Sequence, residues 1–307
     1  MKVIDLDKNE LVSEQSYITL GNFDGIHIAH QALLKKVVTE AKNNNTKSSV
    51  LLFKNNFKTD FNHTRNNTLM NTDQKVAIME DFGIDIVYLV KFDEYFMNTP
   101  SDEFIQSFLM DRLKVKGIII GYDYRYGKGA EGNTDSLKSF ASTNDLNLFI
   151  IDPVYDNGQL VSSSLIKKMI SSGDFKNANE LLTREYTILG KVVPGKHLGS
   201  KHGFPTANLD ILCDYVLPAT GVYLTRVTVD GQEKYGVTSV GQNITFNEKT
   251  FKIETHIMDF NEDIYGMTIK IGFITKLREM VKFDSIEELK EQVFNDIDDA
   301  KSLIEMK

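Results

Sequence analysis

The rhythm of apolar residues changes once along the chain, near residue 183, and that change limits the available folds more than any other feature. Before it, Tyr17–Leu20, Ser49–Phe53, Ile86–Val90, Gly117–Ile120 and Leu148–Ile151 are short apolar runs bounded by polar or glycine residues. Their β-branched content and length predict buried strands. Between them, Gln31–Lys42, Thr72–Phe82, Ser101–Leu113 and Thr134–Thr143 carry apolar residues at helical spacing, with Ser101 expected to cap its helix after Pro100. Strand–helix alternation with buried strands predicts a parallel sheet covered by helices. Two short helices follow, Ser163–Ser171 and Phe175–Leu182. Beyond Thr183, the strand-like runs Thr187–Val193, Val222–Val229, Lys234–Val240, Phe251–Met258 and Met267–Phe273 stand too close together for crossover helices. Turns such as Asp230-Gly231 and Tyr265-Gly266 separate them, which predicts a small antiparallel barrel or sandwich. The chain closes with an amphipathic helix whose stripe is Ile286, Leu289, Val293, Ile297, Ala300 and Ile304, and Ser285 and Glu288 stand at capping-box spacing. The expected domains are 1–183 and 184–307.

Charge and cysteine content remove several functions. Among 307 residues, 35 Lys and Arg face 43 Asp and Glu, a formal charge of -8, which argues against a basic face for nucleic acid. The one cysteine, Cys213, cannot build an internal disulfide framework or a Cys-based zinc site. Met1–Glu10 has no apolar core of a signal peptide, and no stretch approaches the roughly 18 apolar residues of a membrane span. The expectation is a cytoplasmic protein that binds neither membrane nor nucleic acid.

Three motifs bear on chemistry. Gly127–Gly132 matches G-x-G-x-x-G, yet Gly121–Tyr126 intervene between it and the preceding strand, so a Gly-rich loop competes with a dinucleotide fingerprint. Gly21-Asn22-Phe23-Asp24-Gly25-Ile26-His27-Ile28-Ala29-His30 follows the first strand run and opens the first helix. Anions are favoured at such a place, and His27 and His30 share a helix face, either as phosphate donors or as a surface pair. Gly203-Phe204-Pro205-Thr206-Ala207-Asn208 lies in the second half after Gly195 and Gly199. Thr206 and Asn208 offer neutral oxygens to a hard cation such as Mg²⁺, although such clusters also make ordinary turns. Glu254 sits inside a strand, either on the wet face or held for a purpose.

Taken in order, Gly21–His30, Gly121–Gly132, Val161–Lys167, Gly203–Leu209, Gly221–Tyr223, Glu254–Phe260, Ile264–Gly266 and the terminal helix resemble the prokaryotic bifunctional riboflavin kinase/FAD synthetase family. The resemblance implies an α/β Rossmann-like nucleotidyltransferase domain, then a six-stranded antiparallel β-barrel kinase domain with a C-terminal helix. It implies phosphorylation of riboflavin to FMN and adenylylation of FMN to FAD, with ATP as co-substrate and Mg²⁺ as cofactor. On the kinase side it implies Glu254 as general base, ATP and Mg²⁺ held by Gly195, Gly199, Thr206 and Asn208, and flavin contacts from Arg278, Lys282 and Phe283. On the adenylyltransferase side it implies His27 and His30 as catalytic, with Gly21, Asn22, Phe23, Asp24, Asp123, Ser163, Ser164 and Lys167 around the nucleotide. The chain departs from the family pattern at Ala29, Lys54–Phe57, Ala130, Lys167, Ser200 and Ile244. Two other readings stay beside the bifunctional one: a paralogue keeping one activity, the kinase, or a flavin- or nucleotide-binding regulatory protein.

Overall fold

The computed structural model describes residues 1–8, 12–54, 67–195, 203–242 and 251–305. They form two compact units, residues 1–66 with 70–163, and residues 67–69 with 164–307. Among the described residues no helix is long and apolar enough to cross a membrane.

The first unit is built on six parallel strands: β1 (Lys2–Asp5), β2 (Ser16–Leu20), β3 (Lys47–Phe53), β4 (Ile86–Val90), β5 (Val115–Gly121) and β6 (Asn147–Ile151). They pair in the order β1-β4-β3-β2-β5-β6. Its helices are α1 (Ile28–Asn43), α2 (Thr72–Asp81), α3 (Glu94–Asn98), α4 (Ser101–Glu103 continued as a π-helix over Phe104–Arg112) and α5 (Thr134–Thr143). Successive strand residues face opposite ways, so the sheet has two apolar faces. Ile18, Leu51, Tyr88, Ile118 and Ile120 pack with Phe104, Ile105, Phe108 and Leu109 of α4. Tyr17, Val50, Leu52, Val87 and Ile119 pack with Leu33, Leu34 and Val37 of α1 and Met79 of α2. With both faces covered, the strands read as continuous apolar runs, as the sequence suggested. Edge strand β1 carries too few apolar residues to have shown itself. Ser101 is the first residue of α4 rather than its cap, and its N–H donates to the Glu131 carboxylate at 3.0 Å.

The second unit takes in α6 (Ser163–Ser172) from Ser164 onward and α7 (Phe175–Leu182). Strands β9 (Tyr186–Val193), β10 (Ala207–Ile211), β11 (Gly221–Val229), β12 (Gln232–Gln242), β13 (Phe251–Ile257) and β14 (Thr268–Arg278) follow, closing in the order β10-β13-β12-β11-β14-β9 with every pair antiparallel. (The two-residue strands β7, Tyr155–Asp156, and β8, Gln159–Leu160, form a hairpin of the first unit.) The sixth barrel strand, β10, starts at Ala207 and so takes in Asn208 of a segment that reads as a turn by composition, with Thr206 just before it. Helix α8 (Ile286–Glu305) lays Val293, Ile297, Ala300 and Ile304 on Val222, Leu224, Val237 and Ile274. The Ser285 hydroxyl accepts the Glu288 N–H at 3.1 Å, but the Glu288 carboxylate reaches the N–H of Asp284, one residue before the cap. The compact units divide after Ser163, and α7 packs on the barrel: Phe175 stacks on Phe273 with centroids 5.0 Å apart. Asn179 ties two strands together, donating to the Phe273 carbonyl at 2.8 Å and accepting the Tyr186 N–H at 2.8 Å.

Candidate active sites

In the first unit, β2 and β5 are neighbours whose connections leave toward opposite sides of the sheet. The crevice beyond the carboxyl ends of such strands is where open α/β sheets take ligands. Gly21–His30 continues from β2 and Gly121–Gly132 from β5. The first loop holds an uncommon backbone: Phe23, Gly25 and Ile26 have φ of 49°, 90° and 39°. A branched residue at positive φ costs of order 1–3 kcal/mol and persists only where its surroundings impose it. Here the imposition is burial, since the Phe23 and Ile26 side chains are fully enclosed. His27 then caps α1 with its backbone extended (φ -72°, ψ 173°), so the helix starts immediately after the strained turn.

His27 and His30, three residues apart, stack with ring centroids 3.8 Å apart and planes 20° apart. Phe23 closes on His30 at 5.2 Å. Ser163 joins them: its hydroxyl donates to the Asp24 carbonyl at 2.7 Å and stands 3.5 Å from His27 Nε2. Gly21, Asn22, Phe23, Asp24, His27, His30 and Ser163 therefore share one place, and the bland reading of a surface His pair fails because His27 is 2% exposed. Asp123 lies exposed just beyond β5, while Ser164 and Lys167 lie on α6 in the second unit.

Two of the three glycines in Gly127–Gly132 have packing reasons. A Cβ on Gly127 would lie 2.7 Å from the Ser101 Cα, and one on Gly132 would lie 2.6 Å from the Tyr126 ring. Tyr126 and Gly132 exchange backbone hydrogen bonds at 3.2 and 2.9 Å, which folds the segment on itself. Helix α5 starts just after Gly132, with Asn133 as its cap, but residues 122–126 separate the glycines from the end of β5, so they do not make the strand-to-helix turn of a dinucleotide fingerprint.

In the barrel, alternation sorts β13 into inward Ile253, Thr255 and Ile257, all buried, and outward Lys252, Glu254 and His256. Register then aligns Ser239 of β12, Glu254 of β13, Asn208 of β10 and Val193 of β9 across the outer face. Lys252 Nζ stands 3.8 Å from the Glu254 carboxylate. Gly195 presses against this row: a Cβ there would run into the Asn208 side-chain amide, so glycine lets the backbone come close without displacing it. Asn208 lines a cavity of about 350 Å³ with Pro194, Gly195 and Lys252, and Thr206 lines a second of about 290 Å³ with Phe260 and Tyr265. His256 Nδ1 is 2.8 Å from the Pro205 carbonyl, securing the start of the Thr206–Asn208 segment. Gly199, Ser200, Ile244 and 55–57 lie outside the described residues.

The expected flavin contacts are arranged differently from one another. Arg278 is committed to α8, with Nε and an Nη each 2.7 Å from the two oxygens of Asp296, itself buried. Its other Nη donates to the Glu279 carbonyl at 3.0 Å, and the guanidinium lies 5.8 Å from the Phe283 ring. Arg278 thus fastens the 279–283 segment to the terminal helix, while Lys282 is exposed. Lys75, Gln31, Ser239 and Asp296 are residues that motif reading does not single out. For Lys75 a signal exists, because it stands four before buried Met79 and so falls on the apolar face of α2.

Comparison with known proteins agrees with both halves. Residues 9–165 match the family model described as FAD synthetase, and residues 182–304 match the one described as Riboflavin kinase. A Listeria monocytogenes protein named bifunctional riboflavin kinase/FMN adenylyltransferase is 33% identical over 288 residues, covering 93% of this chain and 91% of the relative. The Bacillus subtilis protein of the same name is 31% identical over 315 residues, covering 98% and 97%. A solved Streptococcus pneumoniae structure titled a macrolide-efflux protein superposes with a TM-score of 0.88 at 30% identity, covering 97% of this chain and 98% of that one. That superposition speaks for the shared architecture, while the two consecutive family matches and the end-to-end relatives speak for descent. Two family models matched in succession, with relatives aligned over nearly the whole chain, show that the chain belongs to the bifunctional riboflavin kinase/FMN adenylyltransferase family.

Proposed function

We propose that this chain converts riboflavin to FMN on the barrel and FMN to FAD on the α/β unit, using ATP in both steps. The observation that carries the kinase half is the cross-strand row that sets Glu254 beside Asn208. The ribityl 5′-hydroxyl is a weak nucleophile at neutral pH. Glu254 takes its proton as the oxygen attacks the γ-phosphorus of ATP, and ADP leaves. Thr206 and Asn208 supply neutral oxygens rather than a cage of carboxylates, and among the described residues no cluster of three His, Cys, Asp or Glu exists. That donor set suits Mg²⁺, which keeps waters and substrate phosphates as its other ligands. When bound, the ion offsets charge on the transferred phosphate.

In the α/β unit the FMN phosphate is itself the nucleophile. It attacks the α-phosphorus of ATP, and pyrophosphate leaves. His27, His30 and the N–H groups at the start of α1 offset the charge that develops. Ser163 orients His27. Arg278 acts on the flavin side by holding the 279–283 segment in place, with Phe283 and Lys282 as the contacts. The partners are ATP, riboflavin and FMN, with no nucleic acid or membrane, and a reducing cytoplasm suits the single Cys213. Incubation of the purified chain with riboflavin, ATP and Mg²⁺, followed by chromatographic separation of flavins, tests the reading. FMN followed by FAD is expected. FMN alone would leave only the kinase, and binding without turnover would point to a regulatory protein.

A further inference from the structure

We propose that Lys75 is a positioning residue for adenylyl transfer, its buried ammonium holding the Gly21–His27 loop in the shape that faces the nucleotide phosphates. The inference rests on the reading of that loop as the nucleotide site. Three alternate carbonyls of the loop are each held by a side chain from a different place in the sequence. Lys75 Nζ donates to the Asn22 carbonyl at 2.9 Å, Ser163 Oγ to that of Asp24 at 2.7 Å, and Gln31 Nε2 to that of Ile26 at 3.0 Å. Among the described residues there is no cis peptide bond. In a trans peptide the following N–H points opposite the carbonyl, so the N–H groups of Phe23, Gly25 and His27 are turned away from these three donors. Backbone amides disposed around residues of positive φ form concavities that receive anions. The clamps thus fix three peptide planes of the loop, each with its carbonyl on its donor and its N–H turned from that donor.

Of the three donors only Lys75 carries a charge, and it is 9% exposed. A neutral side chain could hold a carbonyl at smaller desolvation cost, and a methionine would fill the space at none. What the ammonium adds is a fixed positive charge beneath a loop that meets a polyphosphate, in surroundings where Coulomb attraction is weakly screened. Misplacement of a positioned group by about 1 Å can cost on the order of 10²-fold in rate.

The experiment uses the full chain and compares Lys75→Met and Lys75→Arg with wild type. FAD formation from FMN is resolved into kcat and the KM for ATP, and FMN formation from riboflavin serves as internal control. Lys75→Met should lower kcat for FAD formation about 10²-fold with a much smaller change in KM, leave the kinase rate unchanged, and be largely rescued by Lys75→Arg. Hydrogen exchange at residues 21–27 should be at least about ten times faster in Lys75→Met. Wild-type kcat in Lys75→Met, or an arginine variant no better than it, overturns the proposal. If Lys75→Met loses both activities and its circular dichroism, Lys75→Gln decides on the same kcat criterion. If wild type itself makes no FAD, the functional reading fails, and unchanged exchange in the loop would then overturn the clamp separately.

Discussion

Glu254 illustrates how a residue acquires chemical meaning from its lateral neighbours. In sequence it is one carboxylate in an alternating strand. In the barrel it stands between Ser239 and Asn208, 22% exposed and beside Lys252. Glu254→Gln keeps the shape and loses the proton acceptor, so FMN formation should fall about 10²–10⁴-fold while FAD formation from supplied FMN continues. A near wild-type kinase rate would show the carboxylate to be structural. His27 invites the reciprocal test. Its ring is enclosed against His30, so His27→Ala removes one of few donors at the start of α1. FAD formation should fall by at least about 10²–10³-fold with FMN formation intact, read in the same flavin assay. An unaffected FAD rate would leave the work to His30 and the backbone amides. At this scale the Gly21–His30 motif was legible because loop, histidines and helix start are contiguous. Of Lys75 only its place on the apolar face of α2 was legible, since its partner Asn22 is distant in sequence and meets it only through packing of α2 on the sheet.

Among the elements, α7 shows where local pattern and packing part company. Its helical spacing is plain in the sequence, yet nothing local tells which neighbour covers its apolar face. The structure seats it on the barrel, where Phe175, Tyr186, Tyr223 and Phe273 form one aromatic cluster and Asn179 bonds β9 to β14. Each large apolar side chain so buried contributes roughly 1.5–3 kcal/mol. A fragment starting at Ser164 should therefore fold and phosphorylate riboflavin, whereas one starting at Arg184 exposes Phe273 and should be much less stable or insoluble. Thermal melts of the two fragments decide this, and equal melting temperatures would show α7 to be dispensable. Strand β10 is the converse case. Pro205 just before it and Asn208 within it read as turn residues, but the closure of the barrel between β9 and β13 supplies the hydrogen bonds that make 207–211 a strand. Helix α4 was predicted in place, though not its π-helical body, whose wider turns follow from seating Phe104, Phe108 and Leu109 together on the sheet.

For the whole molecule, the two proposed reactions use residues of separate compact units, and the product of one is the substrate of the other. Chains carrying Glu254→Gln mixed with chains carrying His27→Ala should therefore convert riboflavin to FAD after a lag, as FMN released by the second is taken up by the first. A mixture that accumulates FMN and no FAD would mean that the intermediate passes only within one chain. The division into an α/β half and a β half was readable from residues alone, because hydrophobic period and strand spacing are local properties. The order of motifs likewise sufficed to suggest the family. Tertiary structure decided the rest: which strands meet at the switch point, that α6 and α7 belong with the barrel, that Arg278 serves helix α8, and which carbonyls of the Gly21–His27 loop are clamped. These are contacts between residues far apart in the chain, and their energies depend on burial and register, neither of which a linear pattern encodes.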